Sequence, residues 1–175
     1  MNKVQRMLKH LWLDASDARR AIPPDMRQRL ARRTAASESR HSGQIRICVE
    51  ASLPMSYLLR LGKNTSVAQL VHQRAVMLFG KLRVWDTEHN NGVLIYLQLA
   101  ERAIEIVADR GLNRHVTPEE WKAMTARMGA AFAAGRFEDG LTQALEEVSA
   151  ALVANFPAIT GAKAEDELPD EPVLG

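Results

Sequence analysis

The stretch Val93-Leu94-Ile95-Tyr96-Leu97-Gln98-Leu99-Ala100-Glu101-Arg102-Ala103-Ile104-Glu105-Ile106-Val107-Ala108-Asp109 decides the fold. Val93 to Leu99 is a nearly unbroken apolar run, which reads as a central strand covered on both faces. Ala100-Glu101-Arg102 is a short turn and Ala103 to Asp109 returns as a second strand, so the pair forms a β-hairpin. Upstream, Gln44 to Ser52 alternates Ile45, Ile47 and Val49 with Arg46, Cys48 and Glu50, the period of a third strand.

Helical signals surround these strands. Thr65-Ser66 can cap a helix whose apolar face is Val67, Leu70, Val71, Ala75, Leu78 and Leu82. It follows a loop with Pro54, Gly62 and Asn64 that has a helical turn at Tyr57-Leu58-Leu59. Thr117-Pro118-Glu119-Glu120 is a capping box ahead of Trp121, Met124, Met128 and Phe132, and a last helix presents Leu141, Leu145, Val148, Leu152 and Phe156. Before the first strand, Pro23-Pro24-Asp25 opens a helix with Met26, Leu30, Ala31 and Thr34 on one line, ending near Gly43. At the N-terminus Val4, Met7, Leu8, Leu11 and Trp12 share one face, large enough to dock against the domain or a partner. The order helix, helix, strand, helix, hairpin, helix, helix implies an α/β fold, a three-layer α/β/α sandwich with a small mixed sheet.

Three segments follow: a basic amphipathic helix and linker over residues 1–21, an α/β domain over 22–157, and an acidic tail over 158–175 that is expected to be disordered. The net charge of +2 hides an imbalance: residues 1–46 hold eleven Lys/Arg against four Asp/Glu, and the rest twelve against seventeen. The basic residues are dispersed and no nucleic-acid motif accompanies them, so the basic helices are expected to face solvent or the acidic tail, and no nucleic-acid partner is expected. Peripheral membrane contact through residues 1–13 is the other use of that amphipathic helix. The single cysteine, Cys48, forms no intramolecular disulfide, which fits a reducing compartment. Neither a signal peptide nor a membrane-length apolar run is present, so the expected compartment is the cytoplasm.

The polar loop Asp86-Thr87-Glu88-His89-Asn90-Asn91-Gly92 feeds the central strand, and its asparagines and glycine permit a tight turn. A right-handed crossover makes the strands at Gln44–Glu50 and Val93–Leu99 parallel, so Glu38, His41 and Ser42 lie at the sheet end that carries this loop. The hairpin returns Asp109, Arg110 and Gly111 to the same end, and leaves Glu50 and Glu101 at the other. Asp86, Asn90, Asn91, Asp109, Glu38, His41 and Glu88 therefore form the candidate divalent-cation set, since carboxylate, amide and carbonyl oxygens suit Ca²⁺ or Mg²⁺. Ordinary uses compete: Asp86 as a cap, Asn90 and Asn91 as turn residues, Asp109 paired with Arg110 or Arg114. The histidines lack zinc-ligand spacing, Cys48 lacks any neighbour that would activate it, Ser42 lacks a nucleophile elbow, and no glycine-rich loop can cradle phosphate.

Ser42-Gly43-Gln44-Ile45-Arg46, Asn90-Asn91-Gly92-Val93-Leu94-Ile95-Tyr96, Glu105-Ile106-Val107-Ala108-Asp109-Arg110-Gly111 and the stretch from Gly135-Arg136-Phe137 to Gly140-Leu141 occur in an order and spacing that resembles the TPM domain. That family is named after thylakoid phosphatase-like, photosystem II repair and acetylcholine-receptor-modulator proteins, and the similarity runs from about Ile22 to Phe156. The resemblance implies an α/β/α sandwich and a divalent cation, most often calcium. In the plant members it also implies acid-phosphatase activity. Most bacterial relatives carry a secretion signal and a membrane helix; the lack of both here resembles the soluble proteobacterial branch. The leading expectation is a cation-binding accessory or interaction module with an unidentified protein partner. The alternative is a metal-dependent, acid-phosphatase-like hydrolase, with Arg110 against an anionic oxygen.

Overall fold

The computed structural model describes residues 2–62, 64–158 and 167–175. In chain order the elements are α1 (Lys3–Trp12), α2 (Ala15–Ala21), α3 (Pro24–Glu38), β1 (Ile45–Glu50), α4 (Met55–Leu58), α5 (Val67–Lys81), β2 (Val93–Gln98), β3 (Ala103–Ala108), α6 (Arg110–Asn113), α7 (Pro118–Ala133), α8 (Phe137–Asn155) and β4 (Val173–Leu174).

All six residues of β2 are buried, as an apolar run without alternation requires. Its two neighbours saturate its backbone. β1 lies parallel to it from Ile45↔Val93 to Glu50↔Gln98, and β3 lies antiparallel from Val93↔Ala108 to Gln98↔Ala103. The sheet order is β3-β2-β1-β4. Because side chains alternate across a strand, each face has its own core. Ile45, Ile47, Val93, Ile95 and Leu97 pack with Met128, Phe132, Leu141, Leu145 and Leu152 of α7 and α8. Cys48, Leu94 and Tyr96 pack on the other face with Leu70, Val71, Ala75 and Leu78 of α5. The expected three-layer arrangement is therefore present.

Tyr96 sits on a fully buried strand, so its hydroxyl needs an internal partner. It donates to Glu50 Oε2 at 2.9 Å, and Arg74 Nε donates to the same oxygen at 2.8 Å. This ties β1, β2 and α5 together.

Three expectations need correction. The N-terminal linker contains α2: Asp14 and Asp17 form a reciprocal cap around a helix of Ala, Ser, Asp and Arg that has no apolar stripe to read. The basic residues of α1 bond to the domain, Lys3 and Lys9 from exposed positions and Arg6 and His10 from more buried ones. Lys3 Nζ donates to the carbonyls of Leu59 at 3.1 Å and Leu61 at 2.6 Å, and Lys9 Nζ donates to Ala100 O. Arg6 Nε donates to Glu101 Oε1 at 2.8 Å, and His10 Nε2 donates to the same oxygen at 3.0 Å. His10 must carry its proton on Nε2, because Nδ1 accepts the Leu53 N–H at 2.9 Å. Burial opposes the Glu101 charge, but the His10 and Arg6 contacts outweigh it and hold the carboxyl below the usual carboxylate range. Met7 packs inward, while Val4, Leu8, Leu11 and Trp12 are exposed, Trp12 at 85%. The bonds to the hairpin end and the 59–61 loop hold the helix by its polar side.

The third correction concerns the tail. Residues 159–166 lie outside the described residues, but residues 167–175 strap the β1 edge. Leu168 is buried, and Gln44 Oε1 accepts the N–H groups of Glu167 and Leu168 at 3.1 Å each. Val173 and Leu174 pair in parallel with Cys48 and Val49, and Ala51 N donates to Gly175 O at 2.9 Å. Acidic composition concealed this because backbone pairing and one buried leucine, rather than a hydrophobic pattern, hold the segment.

The turn from α3 into β1 is fixed by side chains. Glu38 Oε1 accepts the Ile45 N–H at 2.7 Å, which ends the helix well before Gly43. His41 Nδ1 donates to Gly43 O at 3.0 Å, so its other ring nitrogen, Nε2, accepts from Ser37 Oγ at 2.9 Å. Burial, aided by Arg40, lowers the His41 pKa to about 4.

Removing residues 167–175 should lower stability by roughly 2–4 kcal/mol, the worth of one buried leucine and several backbone hydrogen bonds. An unchanged urea midpoint would show that the strap contributes nothing. His41 gives a second outcome. The unfolded imidazole protonates near 6.5 and the folded one only near 4, so the unfolded state binds the proton first as pH falls. Stability should therefore decline between those values, by on the order of 3 kcal/mol at the acid end. His41→Gln should flatten that segment of the stability–pH curve; an unaltered slope would place the titration elsewhere.

Candidate functional site

At the N-terminal end of β2 the chain is unusually close to itself. A Cβ on Gly92 would lie 1.9 Å from Val84 O, and one on Gly111 would lie 2.4 Å from Asn90 O. Neither glycine has a positive φ; they are needed for close approach, while Asn90 supplies the left-handed residue of the turn at φ 52°. Asp109 N donates to Gly92 O and Gly111 N to Asn90 O, both at 2.9 Å. The loop before β2 is thus locked to α6, and the three segments anticipated at this sheet end do meet.

The seven candidate residues then separate. Asn90, Asn91 and Asp109 are brought together. Arg110 Nε donates to Asn90 Oδ1 at 3.0 Å, and Asn91 Nδ2 donates to Ser42 Oγ at 3.2 Å. Asp109 Oδ1 accepts the Arg110 N–H at 2.6 Å and caps α6. The remaining oxygens are the notable ones: Asn91 Oδ1 and Asp109 Oδ2 are buried and meet no donor. Such groups are rare, because burying an unpaired polar atom costs about 1–3 kcal/mol.

Glu38 and His41 lie at the same sheet end but hold the α3–β1 turn through the bonds already described. Asp86 pairs with Arg83 at the surface, and Glu88 is exposed, its N–H donating to Glu167 Oε2 at 3.0 Å and its carboxylate 4.0 Å from His89. Among the described residues, no group of three or more His, Cys, Asp or Glu side chains is placed to hold a metal ion. The two unpartnered oxygens at this end, one carboxylate and one amide, are of the hard type that Ca²⁺ and Mg²⁺ coordinate.

Sequence reasoning placed Gly111 at this end without its close approach to Asn90, and passed over Thr87, whose Oγ1 accepts the Asn91 N–H at 3.1 Å. The Thr-x-x-x-Asn spacing was the available signal for Thr87. Burial pushes the Cys48 thiol up to about 12, helped by Glu50, which agrees with a buried small residue rather than a nucleophile. No helix of the described residues is long and apolar enough to cross a membrane.

Comparisons with known proteins bear on the fold and the family. The NMR structure of BA42 protein from the psychrophilic bacterium Bizionia argentinensis is 26% identical, covers 83% of this chain and 90% of that chain, and superposes with a TM-score of 0.67. No curated protein matches. The family model described as the TPM domain matches residues 15–151, which includes α2, the whole β1–β2–β3 unit and most of α8, and the chain therefore belongs to the TPM domain family.

Proposed function

We propose that this TPM domain binds a divalent cation, Ca²⁺ in preference to Mg²⁺, at the N-terminal end of β2 and serves as an accessory interaction module. The carrying observation is the pair of orphaned buried oxygens, Asn91 Oδ1 and Asp109 Oδ2. A cation accepting lone pairs from both would relieve the unmet hydrogen-bonding demand and neutralise Asp109. Ca²⁺ fits better because it tolerates irregular sets of six to eight oxygens, so water and backbone carbonyls can complete the shell. Asn90 and Gly111 would hold the loop in place, and the Thr87 hydroxyl would fix Asn91 from behind. When bound, the ion supplies a local positive charge that an anionic partner group can meet.

The interaction half of the reading draws on α1. Its Val4, Leu8, Leu11 and Trp12 face solvent as a contiguous apolar strip. Its cations are already engaged with Glu101 and backbone carbonyls, which leaves little charge for lipid phosphates and favours a protein partner over a bilayer. The hydrolase alternative would draw on Arg110, whose guanidinium is instead occupied by Asn90 Oδ1.

Ca²⁺ at a hundredfold excess over its Kd should stabilise the protein by about 2.7 kcal/mol, read as a rise in Tm. Asp109→Asn should remove most of that gain while keeping the α6 cap, and should change the cation-free protein by less than about 1 kcal/mol. Asp86→Asn should leave the gain intact. A Ca²⁺ effect that is absent, or that survives Asp109→Asn, would refute the site. Hydrolysis of p-nitrophenyl phosphate that requires both Ca²⁺ and Asp109 would replace the module by the hydrolase.

A further inference from the structure

β3 is the free edge of the sheet, and its outer side forms the floor of a groove of about 710 Å³ between α5 and α7. The register identifies the backbone groups on that floor. Asp109 N donates to Gly92 O, so residues 103, 105 and 107 also turn their N–H and C=O groups toward β2. Ile104, Ile106 and Ala108 turn theirs outward. Asn113 Nδ2 takes the Ala108 carbonyl at 2.7 Å and so closes one end of the row. The other outward groups, on Ile104, Ile106 and the Ala108 N–H, have no partner among the described residues.

The opposite edge of the same sheet is treated differently. There Glu38 takes the Ile45 N–H, and the strap closes the rest through Val173, Leu174 and Gly175. The sheet thus already accepts a short extended segment along β1 and leaves the equivalent site along β3 open.

We propose that the β3 groove captures an extended peptide from a protein partner by β-strand addition, with apolar residues at alternate positions and a carboxylate directed at Lys122. Three observations select this occupant. Ile104, Ile106 and Ala108 are each only 8% exposed, low for an edge strand, so the edge is recessed between its flanking helices. A single strand can enter such a slot, whereas the β3 edge of a second copy, carrying its own flanking helices, would be held away. The walls offer apolar surface from Ala68, Val116 and Trp121, which suits the alternate side chains of an added strand. Finally, Glu105 already has a partner, with His72 Nδ1 3.0 Å away, while Lys122 has no ion pair among the described residues. Main-chain hydrogen bonds would supply affinity and the side-chain subsites selectivity. The inference deepens the interaction-module reading and does not depend on the cation.

The test is selection of a displayed library of random eight-residue peptides on the full-length protein in EDTA, followed by synthesis of the enriched peptide. Chemical shifts on titration should move at the Ile104, Ile106 and Ala108 amides. N-methylation of the peptide's alternate amides should weaken binding at least tenfold, as should Thr125→Trp, which fills the groove from α7. Ile106→Pro deletes an outward N–H that the β2–β3 ladder does not use and should do the same; Thr125→Trp guards against its failing to fold. Lys122→Glu should weaken peptides that carry an acid. No enrichment, shifts confined to another surface, or affinity that survives N-methylation and Thr125→Trp would overturn the proposal. So would sedimentation showing a dimer with the β3 amides protected. Because EDTA is present throughout, failure here leaves the Ca²⁺ reading standing, and failure of Ca²⁺ stabilisation leaves this one standing.

Discussion

β2 has no face or edge in contact with water, and the rest of the domain answers that constraint. Six buried residues carry backbone donors and acceptors that must be paired within the protein. A parallel strand on one side and an antiparallel one on the other supply the pairing, and helices from both directions remove the side chains from solvent. Apolar burial alone would not hold the arrangement in one register, because Val, Leu and Ile are nearly interchangeable in a core. The polar interruptions do that work. Tyr96 and Gln98 accept only one set of neighbours each: Tyr96 its bond to Glu50, and Gln98 its bonds to the Ala51 carbonyl at 3.4 Å and the Glu101 N–H at 2.8 Å.

The two ends of β2 are consequently unlike. At the C-terminal end, Glu101 and the carbonyls of Leu59, Leu61 and Ala100 take donors from α1. A helix with a well-formed apolar face is thus held by its other side, through the Arg6 and His10 contacts to Glu101 and the Lys9 bond to Ala100 O. At the N-terminal end the balance runs the other way. The loop has been compressed against Val84 and α6 until only glycine fits at 92 and 111, and two oxygens have lost their water without gaining a donor.

Much of this was legible in the sequence. The hairpin, the crossover, the Thr117 box and the meeting of Asn91 with Asp109 at one sheet end follow from period, caps and handedness, all local or topological rules. What escaped was decided by tertiary hydrogen bonding. α2 is built on an Asp14–Asp17 cap without an apolar stripe, and the strap is built on backbone pairing within acidic sequence. Glu38 and His41 stand where a cation ligand was expected and are used to close a turn. Composition and periodicity are silent on such points, because each depends on which donor happens to face which acceptor once the layers have packed.

The same accounting bears on what a small α/β domain has left to work with. Interior polar groups here are matched almost one to one, as folding requires. Unmatched groups therefore carry information in proportion to their rarity; among the described residues they include Arg27 Nε and Thr34 Oγ1 on α3, and two places belong to the sheet: the oxygens at the N-terminal end of β2, and the outward amides of β3. Asp109 is the first residue after β3, so the two places adjoin, separated by the Asn113 side chain that closes the Ala108 carbonyl. Asn113 Oδ1 in turn accepts the Trp121 indole N–H at 3.1 Å, which fixes the wall of the groove from α7. An amide that reads the end of β3 on one side and positions Trp121 on the other gives the loop and the edge a common support. Any movement of α6 would be felt at both.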